Sequence, residues 1–69
     1  MQEQALPEWA QRVQQERNEL SEKAAKLLQF LARPNITQEI PPLQFQLLDA
    51  QLDAMNAYLK ILDARLLLA

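Results

Sequence analysis

A few aromatic and cationic side chains carry most of the chemistry that this chain offers. The set comprises Trp9, Arg12, Arg17, Tyr58 and Arg65. The rings of Trp9 and Tyr58 could stack on a planar ligand such as a nucleobase, and a guanidinium could grip a phosphate or an acidic partner. The alternatives are structural, because an aromatic ring can pack along a helix seam and an arginine can pair with Glu16, with Asp63 or with a neighbouring subunit. The sequence leaves both interpretations open.

Catalytic and metal chemistry finds little support in the composition. The chain has no cysteine, histidine or glycine, which excludes thiol and imidazole catalysis, Cys/His zinc sites and glycine-rich phosphate loops. Asp49 and Asp53 lie one helical turn apart, but two exposed carboxylates are too few ligands for a hard cation. Ser21 is the only serine and has no histidine to activate it. We therefore predict a protein that is not an enzyme and has neither a metal nor a cofactor.

The charge balance restricts the partners. The chain carries 7 basic and 9 acidic residues, with a sequence pI near 4.9, whereas general binding to nucleic acid or to an anionic membrane needs a basic face. No apolar run approaches the roughly 20 residues that span a bilayer, and the N-terminal residues lack the apolar core of a signal peptide. We expect a cytoplasmic protein with no general nucleic-acid binding and no membrane segment.

Apolar spacing and the position of the prolines predict an all-α fold, an antiparallel hairpin of two helices. The predicted parts are a frayed lead over 1–6 and one domain over 7–69, which contains a helix over 7–33, a turn over 34–41 and a helix over 42–68. Pro7 and Pro42 suit first helical turns, where the missing N–H would have had no partner. Ile36 and Ile40 could fold over the end of the hairpin as a small lid. The matched lengths, roughly 37 Å each, favour antiparallel packing.

Two apolar stripes run side by side along the second helix. The stripe that faces the first helix, together with its counterpart there, gives an intrachain core of Val13, Leu20, Ala24, Leu27, Leu31, Phe45, Leu48, Leu52, Met55, Leu59, Leu62 and Leu66. The second stripe gives an oligomer interface of Leu47, Ala50, Ala54, Tyr58, Ile61 and Leu68. Apolar side chains cover roughly half the circumference of the second helix, and one partner helix cannot bury an arc that wide. So short a chain also forms only a small core. We expect a homo-oligomer, most simply a dimer that forms a four-helix bundle.

The antiparallel register also relates the charged residues of the two helices. It brings Arg17 toward Asp63, and it places Arg12 and Arg65 toward the same open end of the hairpin. That end is where we expect a ligand or partner site.

The order of residues within each helix resembles that of a known family. The matching positions are Trp9, Arg12, Val13, Glu16, Leu20, Lys23, Leu27 and Phe30, followed by Leu48, Gln51, Met55, Tyr58, Leu62 and Arg65. On these residues the chain is similar to short proteins encoded by phages and prophages and related to an uncharacterised protein of a crAss-like phage. The chain departs from that pattern in its proline-rich turn and in Trp9, where the family has tyrosine.

The resemblance implies a phage accessory protein in the cytoplasm of a bacterial host, and it names no activity. One hypothesis is an oligomeric interaction module that binds and modulates a host or phage protein, such as a component of host defence. The alternative is an oligomeric sponge that sequesters a small nucleotide signal of host defence at subunit junctions, with Trp9, Tyr58 and the arginines as ligand contacts.

Overall fold

A computed structural model describes residues 6–69 as a helical hairpin. Helix α1 spans Glu8–Leu31, helix α2 spans Ile36–Glu39 and helix α3 spans Pro42–Leu66. The two long helices, α1 and α3, pack against each other, and no strand occurs within the described range. The predicted all-α hairpin is therefore confirmed, and its association into an oligomer stays a prediction. Most of the predicted lead over 1–6 lies outside the described residues.

Proline marks the start of both long helices. Pro7 directly precedes α1, and its carbonyl oxygen accepts the N–H groups of Ala10 and Gln11 at 2.9 and 3.0 Å. Pro42 is the first residue of α3, and the preceding carbonyl of Pro41 accepts the N–H of Phe45 at 3.0 Å. Each proline thus stands where a helix leaves backbone N–H groups without intrahelical partners.

Both long helices end two residues before the ends of the predicted ranges, which were 33 and 68. Arg33 directly precedes Pro34, and a proline pushes the residue before it out of the α region; α1 accordingly stops at Leu31. After α3, the N–H groups of Leu67 and Leu68 donate to carbonyls three residues earlier, at 3.2 and 3.0 Å. The chain therefore leaves α3 through a tighter turn that keeps its last side chains close to helical positions.

The connection over 34–41, predicted as a turn, contains the single helical turn α2. Ile36 is only 5% exposed, and Ile40 is partly buried. Arg33 links α2 to α1, because its guanidinium lies 3.2 Å from the carboxylate of Glu39 in α2 and 5.6 Å from the ring centroid of Phe30 in α1. The connection is thus a packed cap over the closed end of the hairpin.

The core is a single line of contact between α1 and α3. Every residue of the predicted intrachain core is buried or partly buried, and Ala10 and Ile36 are buried as well. Leu62, at 0% exposure, is the only large side chain in the described range that is fully buried. The hairpin measures 57 × 19 × 13 Å with a radius of gyration of 16.3 Å, against about 11 Å for a globular chain of this length. It is therefore one helical layer thick.

Within residues 6–69, no helix is both long and apolar enough to cross a membrane.

Candidate functional site

Two contacts between α1 and α3 distinguish the two broad sides of the hairpin. The hydroxyl of Tyr58 donates a hydrogen bond to the carboxylate of Glu16, and Nε of Arg17 donates to Oδ1 of Asp63 at 2.8 Å. Glu16 and Arg17 are neighbours in sequence, so they point about 100° apart around α1, one to each side of its line of buried residues. The two contacts therefore lie on opposite sides of the core. We call the side with Tyr58 the tyrosine face and the side with Asp63 the acidic face.

The tyrosine face also carries the aromatic and cationic residues of the open end. Trp9 and Arg12 precede Glu16 on α1 by about two turns and one turn, and Arg65 follows Tyr58 on α3 by two turns. Because α1 and α3 are antiparallel, residues before Glu16 on α1 lie beside residues after Tyr58 on α3. Arg12 therefore lies across from Arg65. Trp9 and Tyr58 are each 41% exposed. Four of the five predicted site residues thus share one face.

The cations on this face are accessible. Arg12 makes an ion pair with Glu8 one turn away, and both side chains are more than 70% exposed. Such surface pairs contribute about 0.2–1 kcal/mol, so a stronger anionic partner can displace the carboxylate. Within residues 6–69, Arg65 makes no salt bridge. Both guanidinium groups are therefore exposed to solvent.

Arg17 is the predicted site residue that lies apart from the others. Its ion pair with Asp63 joins α1 to α3 on the acidic face. The polar residues there are Gln46, Asp49, Asp53, Asn56, Lys60 and Asp63. Across residues 6–69, no group of acidic side chains is arranged to hold a metal ion. Of the two interpretations of Arg17, ligand contact or ion pair, the structure shows the ion pair with Asp63.

Tyr58 is held in its neutral form by its surroundings. The hydrogen bond to Glu16, partial loss of hydration and the negative charge of Glu16 raise the pKa of the Tyr58 hydroxyl, while the charge of Arg65 opposes that shift. Sequence reasoning considered Glu16 only as a partner for arginine. The hydrogen bond could have been predicted from the antiparallel register, which places Glu16 on α1 across from Tyr58 on α3.

The chain has a single tyrosine, so an alkaline titration of tyrosinate absorbance reports Tyr58 alone. We expect the pKa of Tyr58 to lie above the reference value of about 10 and to fall toward it in Glu16→Gln. Since the folded chain holds this proton more tightly, the stabilisation from Tyr58 is present below the unfolded pKa and is lost as pH rises through the folded pKa. Glu19→Gln is the matched control, and equal shifts in the two variants would contradict the assignment.

A second exposed feature is the outer stripe of α3. All residues of the predicted oligomer interface are exposed in the single hairpin: Leu47, Ala50, Ala54, Tyr58, Ile61 and Leu68. Leu47 and Ile61 are 58% and 57% exposed, and Leu68 is 79% exposed. Contiguous exposed apolar patches are a common feature of interaction surfaces. Tyr58 belongs both to this stripe and to the tyrosine face, so the two features adjoin.

Together these features define a small helical-hairpin protein with a broad, open surface that offers aromatic rings, guanidinium groups and an adjoining apolar stripe. The chain matches the model of the Sequestin family over residues 7–68 and belongs to that family. The match covers both long helices and the connection between them. No curated protein and no solved structure matches the chain.

Proposed function

We propose that the protein is a non-enzymatic sequestering protein that retains a small nucleotide on its tyrosine face and so keeps it from a receptor. The name of the family points to sequestration. The observation that carries the choice of ligand is the shared position of Trp9, Arg12, Tyr58 and Arg65 on one exposed face. In the setting suggested by the resemblance to phage proteins, the nucleotide is a signal of host defence in a bacterial cytoplasm.

The side chains of this face suit the two halves of a nucleotide. A guanidinium binds phosphate oxygens through two parallel N–H donors, and an aromatic ring stacks on the face of a base. Tyr58 adds a hydroxyl donor that can turn from Glu16 to a ligand oxygen. Retention requires only binding, so it does not depend on a nucleophile or on a tuned acid and base.

A ligand on a single hairpin would remain open to water on one side. The hairpin is only 13 Å deep, about the diameter of one helix with its side chains. A second hairpin against the outer stripe of α3 would border the tyrosine face and exclude water from the bound ligand. Water exclusion strengthens the contacts between guanidinium and phosphate. We therefore include homo-oligomer formation in the proposed function.

A second candidate function is modulation of a host or phage protein through the same exposed surfaces. The observation in its favour is the apolar exposure that continues beyond the tyrosine face, with Leu43 at 64% and Leu68 at 79%. An amphipathic helix of a partner could lie along such a stripe. The target would be a component of host defence, since the acidic balance of the chain argues against binding to nucleic acid itself.

Thermal unfolding with a panel of linear and cyclic nucleotides tests the first function. A ligand at 100 times its dissociation constant should raise the free energy of unfolding by about 2.7 kcal/mol, which is a clear rise in Tm. Arg65→Gln should abolish the rise, whereas Lys26→Gln, which removes a charge far from the tyrosine face, should retain it. The single tryptophan, Trp9, gives an independent fluorescence signal.

The ligand should be recovered unchanged after the complex is denatured, because sequestration consumes nothing. No Tm rise across the panel would remove the nucleotide proposal. A protein captured from host lysate by the wild type, and lost with Ile61→Asn, would then favour the second function.

A further inference from the structure

Five of the six residues of the outer stripe, all except Tyr58, belong to a longer, uninterrupted coiled-coil pattern on α3. Its members recur at alternating steps of four and three residues: Leu43, Leu47, Ala50, Ala54, Ala57, Ile61, Ala64 and Leu68. Every one of them is exposed in the single hairpin. This repeat is the spacing by which two helices keep a continuous seam in contact. We call these residues the outer seam.

We infer that two copies of the chain pair through the outer seam with their α3 helices antiparallel, about a two-fold axis between Ala54 and Ala57. The inference rests on the association included in the proposed function, and it adds the orientation and the contacts. The occupant of the seam is thus a second copy of this chain, and the argument comes from side-chain size and from charge.

Side-chain sizes along the seam are complementary only in the antiparallel arrangement. The seam has alanine at its middle and larger residues toward both ends. Antiparallel pairing sets Ala54 against the second copy's Ala57, Ala50 against its Ile61, and Leu47 against its Ala64. Leu47 and Ile61 then each meet an alanine, which allows close packing over the central part of the seam, while Leu43 meets the second copy's Leu68 at either end.

Parallel pairing would instead place identical residues together. Alanine would face alanine at 50, 54 and 57, while Leu47 would face Leu47 and Ile61 would face Ile61 on either side. The large pairs would hold the helices apart and leave a void over the alanines, which costs packing energy.

The charges that flank the seam favour the same orientation. In an antiparallel pair, flanking residues on the same side of the seam meet, so Asp53 lies beside the second copy's Lys60, and symmetry repeats this contact. In a parallel pair, Lys60 would approach the second copy's Arg65, a repulsion that also occurs twice. Flanking charges of this kind select orientation in coiled coils.

This pairing completes the tyrosine face with residues of the second copy. Its Gln51 comes beside Tyr58, and its Gln44 comes beside Arg65. Side-chain amides supply both donors and acceptors, so they can accept hydrogen bonds from the N–H groups of a base, which the guanidinium groups, as donors only, cannot do. The dimer would hold two equivalent sites, each built from both chains.

Disulfide trapping tests the orientation, because the chain has no cysteine of its own. Ala50→Cys and Ile61→Cys are prepared singly, refolded together, oxidised and separated on a denaturing gel without reductant. The mixture should give a covalent dimer, since a disulfide needs Cα atoms about 4.4–6.8 Å apart. Ala50→Cys alone should remain monomeric on the gel, because antiparallel pairing separates its two copies by about 16 Å along the helix.

Asn56→Cys mixed with Ala50→Cys is the control, since Asn56 lies on the acidic face. Rapid trapping of Ala50→Cys with itself would overturn the antiparallel orientation while leaving association intact. Trapping of the mixture no faster than the control would overturn pairing through the outer seam. Ligand binding is measured separately by the Tm rise, so failure of the orientation and failure of sequestration give different results.

Discussion

Leu62→Ala should lower the free energy of unfolding by about 2–5 kcal/mol, the cost of deleting a buried leucine side chain and leaving a cavity. Leu62 is fully buried, and the described part of the chain contains no second large side chain that is equally enclosed. The hairpin is one layer thick, so few neighbours can move to fill the space. For a domain this small, such a loss approaches the whole stability. Urea unfolding followed by circular dichroism measures it.

Leu67→Ala is the matched control for this prediction. Leu67 is 85% exposed, so the same chemical change should alter the free energy of unfolding by no more than about 0.5 kcal/mol. If Leu67→Ala were as damaging as Leu62→Ala, the placement of the core between α1 and α3 would be wrong.

Ala54→Glu should raise the dissociation constant of the homo-oligomer about 100-fold or more, equivalent to about 2.8 kcal/mol. Ala54 lies in the middle of the outer seam, where the two α3 helices of the inferred pair would approach most closely. The two-fold axis brings both copies of the new carboxylate into the same interface, where each loses hydration without gaining a cation. Light scattering over a range of protein concentrations measures the mass.

Asn56→Glu introduces the same charge two residues later, on the acidic face. It should leave the mass of the assembly unchanged, and both variants should keep the far-ultraviolet spectrum of a helical chain at concentrations where they are folded. Equal dissociation by both variants would show that the outer seam is not the interface. A wild-type chain that stays a folded monomer at micromolar concentration would contradict association altogether.

The hairpin could be predicted from the sequence because its signals are local. Pro7 and Pro42 mark the helix starts, and the three- and four-residue spacing from Phe45 to Leu66 indicates which side of α3 is buried. The helix α2 was not predicted, because a single helical turn leaves no periodic pattern. Its formation depends on the tertiary burial of Ile36, and local propensity gives no sign of it.

The candidate site was only partly predictable, because the position of a residue on a face depends on the register between two helices. The sequence register correctly brought Arg17 toward Asp63, yet Arg17 was still grouped with the residues that lie on the tyrosine face. The hydrogen bond between Tyr58 and Glu16 depends on side-chain rotamers across the seam, which helical spacing does not specify. The Tyr58–Glu16 and Arg17–Asp63 contacts, one on each side of the core, assign Arg17 to a different face from the other four residues.

The single-layer architecture has a consequence for how much of the protein a cell must make. Where the second layer comes from another copy, folding and assembly become one equilibrium whose midpoint shifts with chain concentration. Dilute chains spend more time open and exposed to proteases, while abundant chains protect one another. Such a protein would act above a threshold of expression, and its disposal would follow once synthesis slowed.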